Sequence, residues 1–196
     1  MTNILQIYGD TKSGNCLKVK WVCDWLALPY RWIDIDIIKG ESRTPEFLAL
    51  NAAGQVPLVV LDDGRALAQS NAIIRYLARD SVLIPQDAYQ AAKMDEWLFW
   101  EQYSHEPYIA VCRFHMLYQG KSLGERDPDR VKRGDAALAL MERHLCVSRF
   151  LVGDSISLAD VSLLAYTRVA HEGGFSLEGH SALRRWIGEA EQALGL

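Results

Sequence analysis

Apolar and polar positions repeat with two different periods along the chain, and the change falls near residue 80. Residues 4–8 are a short apolar run, the pattern of a strand buried in a sheet. Residues 15–27 place Val19, Val22, Cys23 and Leu26 at helical spacing. Residues 31–37 alternate, with Ile33, Ile35 and Ile37 between Trp32, Asp34 and Asp36, which predicts a strand. Thr44-Pro45-Glu46 sets a cap residue before a proline at the first helical position, opening a helix expected to end near Asn51. Residues 56–61 and 65–68 read as two strands turned by Asp62-Asp63-Gly64. Residues 70–79 are helical again, with Ile73, Ile74 and Leu77 on one side.

The order β-α-β, α, β-β-α predicts a mixed four-stranded sheet. The crossover makes two strands parallel and the hairpin adds antiparallel ones, with thioredoxin-like connectivity. Beyond Pro85 the period is helical throughout. Residues 89–117 form one long stretch that Pro107 is expected to bend. A second helix covers 128 to about 149. A third starts at Ser157-Leu158-Ala159-Asp160, a capping-box-like pattern with Asp in place of Glu or Gln, and runs to about 171. A last one covers 182–193. The expected organisation is an α/β domain over 1–80, a linker at 81–88 and an all-α domain over 89–196.

Composition narrows the function classes. The chain has 196 residues, 49% hydrophobic and 23% charged, which is enough to bury a core without staples. The net charge of −4 provides no basic field for nucleic acid or an anionic membrane. No apolar run approaches the ~18 residues of a membrane-spanning helix. The start, MTNILQIYGD, has no leader pattern. Cys16, Cys23, Cys112 and Cys146 make no CxxC and no ligand cluster, so neither a disulfide framework nor a metal site is expected. These features read as a cytoplasmic protein with reduced thiols.

The chemistry is expected after the first strand. In such a unit that loop delivers side chains to the first helix N-terminus, where unpaired N–H groups and the dipole favour a thiolate. A redox protein would place CxxC there, whereas this chain has Ser13-Gly14-Asn15-Cys16. A hydroxyl cannot exchange disulfides, but it can donate to the thiolate of a ligand. Gln55-Val56-Pro57 opens the third strand and Gln69-Ser70 opens the helix after the hairpin. Pro57 at a strand start is ordinarily trans. A cis bond there would leave Val56 as a free edge for an extended peptide. Ser70 suits a carboxylate and Gln69 an amino group. A tripeptide carrying a thiol fits all of these.

Ser13, the pair Gln55-Val56-Pro57 and Gln69-Ser70-Asn71-Ala72-Ile73-Ile74, and Ser157-Leu158-Ala159-Asp160 occur here in one order. In this the chain resembles the glutathione S-transferase superfamily over its whole length. The resemblance implies a thioredoxin-like first domain, an all-helical second domain, a cis Val56–Pro57 bond and a homodimer. It implies glutathione as co-substrate, no prosthetic group, and a small electrophile or disulfide as second substrate. Ser157 and Asp160 would be structural. Ser13 matches the theta and zeta position for the catalytic serine. Gln55-Val56-Pro57 and Gln69-Ser70 are zeta-like, but the zeta Ser-Ser-Cys signature is replaced by Ser13-Gly14-Asn15. A hydroxyl, a spacer and an Asn resemble nu-like bacterial enzymes that act on disulfides.

The catalytic candidates are therefore Ser13 and Asn15, although Asn15 also suits a helix cap. Tyr8 and Cys16 are weaker alternatives for meeting the sulfur. Arg43, Gln55, Val56, Gln69 and Ser70 are expected to hold glutathione. Tyr103, Tyr108 and Phe114 are candidates for an electrophile pocket, although all three cannot lie on one narrow helix face. The expected activity is attack of the glutathione thiol on a small electrophile. Glutathione-dependent disulfide reduction and a non-catalytic binding or interaction role are the alternatives.

Overall fold

The N-terminal apolar run forms β1 (Leu5–Gly9), and the helical pattern after it forms α1 (Gly14–Trp25). The computed structural model describes residues 4–196. Then follow β2 (Tyr30–Asp34), α2 (Pro45–Leu50), β3 (Leu58–Val60), β4 (Ala66–Ala68) and α3 (Ser70–Leu77). The sheet order is β2-β1-β3-β4, with β1 and β2 parallel and both other pairings antiparallel. This is the expected mixed four-stranded sheet. Ile7, Val19, Val22, Leu58, Val59, Ile73 and Ile74 are wholly buried in it and its helices. Thr44 caps α2, its Oγ1 accepting from the Phe47 N–H at 3.3 Å.

The strands are shorter than their patterns predict. β2 was expected to reach Ile37 but stops at Asp34. Beyond it the Asp36 carboxylate accepts from the Ile38 and Lys39 N–H groups, both at 3.0 Å, and this local turn takes the place of ladder bonds. β3 begins only after Pro57, which has no N–H to give a neighbour. Gly9 closes β1 because a Cβ there would stand 2.7 Å from the Trp32 ring. That gap lets Trp32 cover the end of the strand.

This first compact unit ends at Ser81 and a second begins at Val82. The second is helical: α4 (Ala88–Trp100), α5 (Glu106–Gln119), α6 (Pro128–Leu145), α7 (Leu158–Thr167) and α8 (Ser181–Leu194). The bend expected at Pro107 lies just before it, as a π-helical turn over Glu101–His105. Pro107 cannot donate to the carbonyl four residues back and its ring crowds that carbonyl, so the preceding turn widens. α6 stops at Leu145 rather than near Arg149, because the Arg185 guanidinium takes the carbonyls of Leu145 (2.7 Å) and Ser148 (3.0 Å). α7 also ends early, at Thr167, and a 3-10 turn over Ala170–Gly173 follows. Among the described residues no helix is long and apolar enough to cross a membrane.

α7 is buried on every side, so the charge at its start needs full compensation. Asp160 receives it. Its carboxylate accepts from the Leu151 N–H (2.9 Å), the Ser157 N–H and hydroxyl (2.9 Å each) and the Trp186 indole N–H (2.8 Å). Ser157 and Asp160 close the capping box, as the resemblance implies. The same carboxylate ties α7 to α8 and to the loop before it. Glu142 of α6 plays a similar part for α8, accepting from the Ala182 and Leu183 N–H groups at its N-terminus.

Replacing Asp160 by Ala strands four buried donors, and each unmet donor costs about 1–3 kcal/mol. We expect Asp160→Ala to lower unfolding stability by about 3 kcal/mol or more, measured by urea denaturation. A loss below about 1 kcal/mol would show that the donors find other partners.

Candidate functional site

The sheet register decides where the sequence motifs meet. β1 runs outward to Gly9, and Tyr8 lies opposite Leu58, the first residue of β3. Leu58 in turn lies opposite Ala68, the last residue of β4. The loop after β1, Val56-Pro57 and Gln69-Ser70 therefore emerge at one end of the sheet, where α1 and α3 begin. The Val56–Pro57 bond is cis, as the resemblance implies. Gln69 has φ 70°, a backbone conformation rare outside glycine that is often found where a site over-determines it.

Ser13, not Asn15, is the N-cap of α1. Its carbonyl accepts from the Cys16 and Leu17 N–H groups, and its own N–H donates to the Asp10 carbonyl at 3.0 Å. Its side chain makes no capping bond. Ser13 thus caps the helix through its backbone and not through its side chain. Asn15 is the second residue of the helix, and its Oδ1 accepts from the Ser70 hydroxyl at 3.1 Å. That bond joins the starts of α1 and α3. The same oxygen accepts from the Lys18 ammonium at 2.8 Å. Lys18 is wholly buried. Sequence reading passed over it, because a lysine in an amphipathic helix ordinarily reads as surface. The one available signal was its place beside Val19 and four residues before Val22.

The loop that leads into Pro57 is held by side chains. The Asn51 amide donates to the Gln55 carbonyl at 2.8 Å, and its Oδ1 accepts from the Ala53 N–H. Arg43 folds over Gly54 and donates to the Ala53 carbonyl at 3.0 Å. A Cβ on Gly54, whose φ is +60°, would collide with that guanidinium. Arg43 thus has a structural bond in the loop beside any bond to a ligand. Gln55 and Gln69 are exposed.

Neither weaker alternative for activating a thiol fits the geometry. The Tyr8 hydroxyl donates to the Gln6 amide at 3.4 Å, and its ring packs edge-on against Phe47. Cys16 is wholly buried. Burial pushes its thiol up to about 11, against the opposing hydrogen bonds from the Asp10 backbone and the Ser13 side chain. Burial likewise raises Cys23 to about 12. In the helical unit Tyr103 is 82% exposed within the π turn. The Tyr108 hydroxyl accepts from Arg133 at 3.0 Å, and Phe114 stacks on Tyr118 at 4.9 Å.

The family model for the glutathione S-transferase N-terminal domain matches residues 13–80. Glutathione S-transferase 3 of Zea mays is 32% identical over 167 residues, 81% of this chain and 74% of that protein. Glutathione S-transferase theta-1 of Mus musculus is 30% identical over 205 residues, 98% of this chain and 84% of that protein. The crystal structure of a glutathione S-transferase from Pseudomonas fluorescens is 43% identical. It superposes with a TM-score of 0.93, covering 96% of this chain and 94% of that one.

The thiol environments give a direct test. Cys146 is exposed, whereas Cys16, Cys23 and Cys112 are buried. A thiol with a pKa of about 11 is ionised to roughly one part in a thousand at pH 8. Titration of the folded protein with an aromatic disulfide reagent is expected to show fast reaction of Cys146 alone, the others reacting after denaturation. Fast modification of Cys16 would return it to the list of nucleophiles.

Proposed function

The chain belongs to the glutathione S-transferase family, and on that premise we propose that Ser13 and Asn15 meet the glutathione sulfur. The protein is an enzyme of glutathione chemistry. In the proposed reaction the Ser13 hydroxyl donates to the thiolate, and the positive end of α1 stabilises the same charge. The thiolate then attacks a small electrophile held beside it, and part of the rate gain comes from that proximity. The observation that carries this reading is the bonding of Asn15 to Ser70, which sets two helix N-termini side by side at one end of the sheet. One helix end suits the thiolate and the other the carboxylate of the γ-glutamyl group.

The remaining roles follow from position. Val56 offers a strand edge to the peptide backbone. Gln69 and the Ser70 N–H serve the γ-glutamyl end, and Gln55 and Arg43 serve the glycyl carboxylate. Tyr103, Tyr108 and Phe114 are the proposed contacts for the electrophile. Disulfide reduction is the second reading, favoured by the placement of Asn15 two residues into the helix. Turnover of hydroxyethyl disulfide with no turnover of a chloro-aromatic acceptor would select it. We also propose a homodimer. The exposed Phe99 (77%) is a large apolar side chain suited to burial against a second copy. A monomer by light scattering at micromolar concentration would overturn that part.

Calorimetry is expected to show glutathione binding, with the ultraviolet absorbance of a thiolate near neutral pH. Ser13→Ala is expected to lose ~1.5–3 kcal/mol of charge-assisted hydrogen bonding, or roughly 10–100-fold in rate. An unchanged rate would move the donor role to Asn15. Failure to bind glutathione at millimolar concentration would favour a non-catalytic role for the fold.

A further inference from the structure

We infer that Asn51 is a positioning residue for glutathione, acting through the peptide unit that joins Gln55 to Val56. The inference rests on the reading of Val56 as the strand edge that takes the ligand backbone. Asn51 ends α2 and is only 9% exposed. It closes the turn over residues 51–55 on itself. Its Nδ2 donates to the Gln55 carbonyl at 2.8 Å, and its Oδ1 accepts from the Ala53 N–H at 3.2 Å. Its backbone carbonyl accepts from the Gly54 N–H at 2.9 Å. A carbonyl needs the NH2 end of an amide and an N–H needs the oxygen end, so the two side-chain bonds fix the amide one way round. Aspartate has the same shape but offers acceptors only.

The bond to Gln55 has a consequence one residue further on. The Gln55–Val56 peptide bond is trans. In a trans peptide the C=O and the N–H that follows it point in opposite directions. Holding the Gln55 carbonyl on a buried side chain therefore turns the Val56 N–H away from the interior of the loop. That N–H has no hydrogen-bond partner among the described residues. Pro57 beside it carries no N–H, and the β3 ladder begins only at Leu58. An extended peptide pairs with such an edge by offering a backbone carbonyl to the donor. Without the Asn51 donor, the Gln55–Val56 unit rotates about its flanking bonds and the N–H no longer holds one direction. Binding then has to supply the ordering that Asn51 supplies in advance. The hydrogen bonds of Asn51 all fall within residues 47–55, so its effect is on affinity and not on ionisation of the thiol.

The test measures the glutathione dissociation constant by calorimetry in wild type, Asn51→Ala, Asn51→Asp and Thr44→Ala, with thermal melts to report stability. Each is also titrated with an analogue that has an alkene in place of the cysteinyl–glycine peptide bond, which removes the carbonyl that Val56 would meet. Asn51→Ala is expected to weaken glutathione binding about tenfold. The ionisation midpoint of the bound thiol, followed by its ultraviolet absorbance, stays at the wild-type value in that variant. Asn51→Asp still accepts from the Ala53 N–H but cannot donate to Gln55, and is expected to weaken binding at least as much. Thr44→Ala removes the cap of the same helix without touching the Gln55 carbonyl; it is expected to lose stability and keep the wild-type constant. Wild type is expected to bind the alkene analogue about tenfold more weakly than glutathione. In both Asn51 variants most of that difference disappears, because the amide and the ligand carbonyl act through one bond. A folded Asn51→Ala with the wild-type constant, or with a shifted midpoint, overturns the proposal. So does a Thr44→Ala that weakens binding as much as Asn51→Ala. Should Asn51→Ala not fold, Asn51→Asp carries the test: an effect of its added charge alone would weaken both ligands alike, and a wild-type ratio between them overturns the proposal. A wild type that binds no glutathione sinks the reading of the site itself, before any variant is compared.

Discussion

Two helices that begin at the same end of a sheet bring like partial charges together. α1 and α3 each present a positive N-terminus, and nothing in the sheet itself neutralises that pairing. The Asn15 oxygen supplies a partial negative charge between them, accepting from Ser70 across 55 positions of sequence. The rest of the site depends on that contact. It places the Ser13 loop beside Gln69-Ser70, while the sheet register places Val56-Pro57 alongside them. The same juxtaposition that costs electrostatic energy in the free protein favours a ligand with an anion at each helix end. Glutathione, with a thiolate and a distant carboxylate, is such a ligand. The positive φ of Gln69 belongs to the same arrangement, because it turns the chain abruptly from β4 into α3.

Much of this was legible before any coordinates. Strand and helix order in the first unit followed from periods of two and near four, and the parallel pairing of β1 and β2 followed from the crossover between them. Thr44-Pro45 and Ser157-Leu158-Ala159-Asp160 announced helix starts that the structure contains. The ends were less legible, because tertiary partners set them. α6 stops where Arg185, forty residues away from Leu145, takes its carbonyls. β2 stops where Asp36 offers its backbone neighbours a competing acceptor. Pro107 was a sound signal for irregularity, but the distortion lies on its N-terminal side, where the missing N–H and the ring act.

At the site the motifs were legible and their wiring was not. Ser13 and Asn15 were both plausible caps for α1, and the choice between them rests on backbone geometry that a sequence does not print. Ser13 has the extended cap conformation, whereas Asn15 lies inside the helix. Lys18 was invisible for a deeper reason. Lysine is rarely buried, so a pattern reading assigns it to solvent unless a partner is known. One of its bonds here goes to the Asn15 amide, and amides leave no charge pattern in a sequence. Arg43, expected on the ligand, has a structural bond as well, to the loop that carries Gln55, and nothing in its sequence context announces that bond.

Cys16 shows why the chemistry uses a thiol from outside the chain. It lies in the first turn of α1, the place where a helix lowers a thiol's pKa, and two hydrogen bonds reach its sulfur. Its pKa nevertheless rises from 9.0 to about 11. A rise of that size corresponds to roughly 3 kcal/mol against the thiolate. A helix end contributes typically 0.3–1 kcal/mol, up to ~2 in favourable geometries, so burial wins. A ligand sulfur at the same helix end need not enter the core. In the proposed site it would keep the dipole and the Ser13 donor while avoiding most of the desolvation that silences Cys16. With the chain's own thiol held neutral by packing, the proposed roles of Ser13 and Asn15 require that the incoming thiol be the group that ionises there.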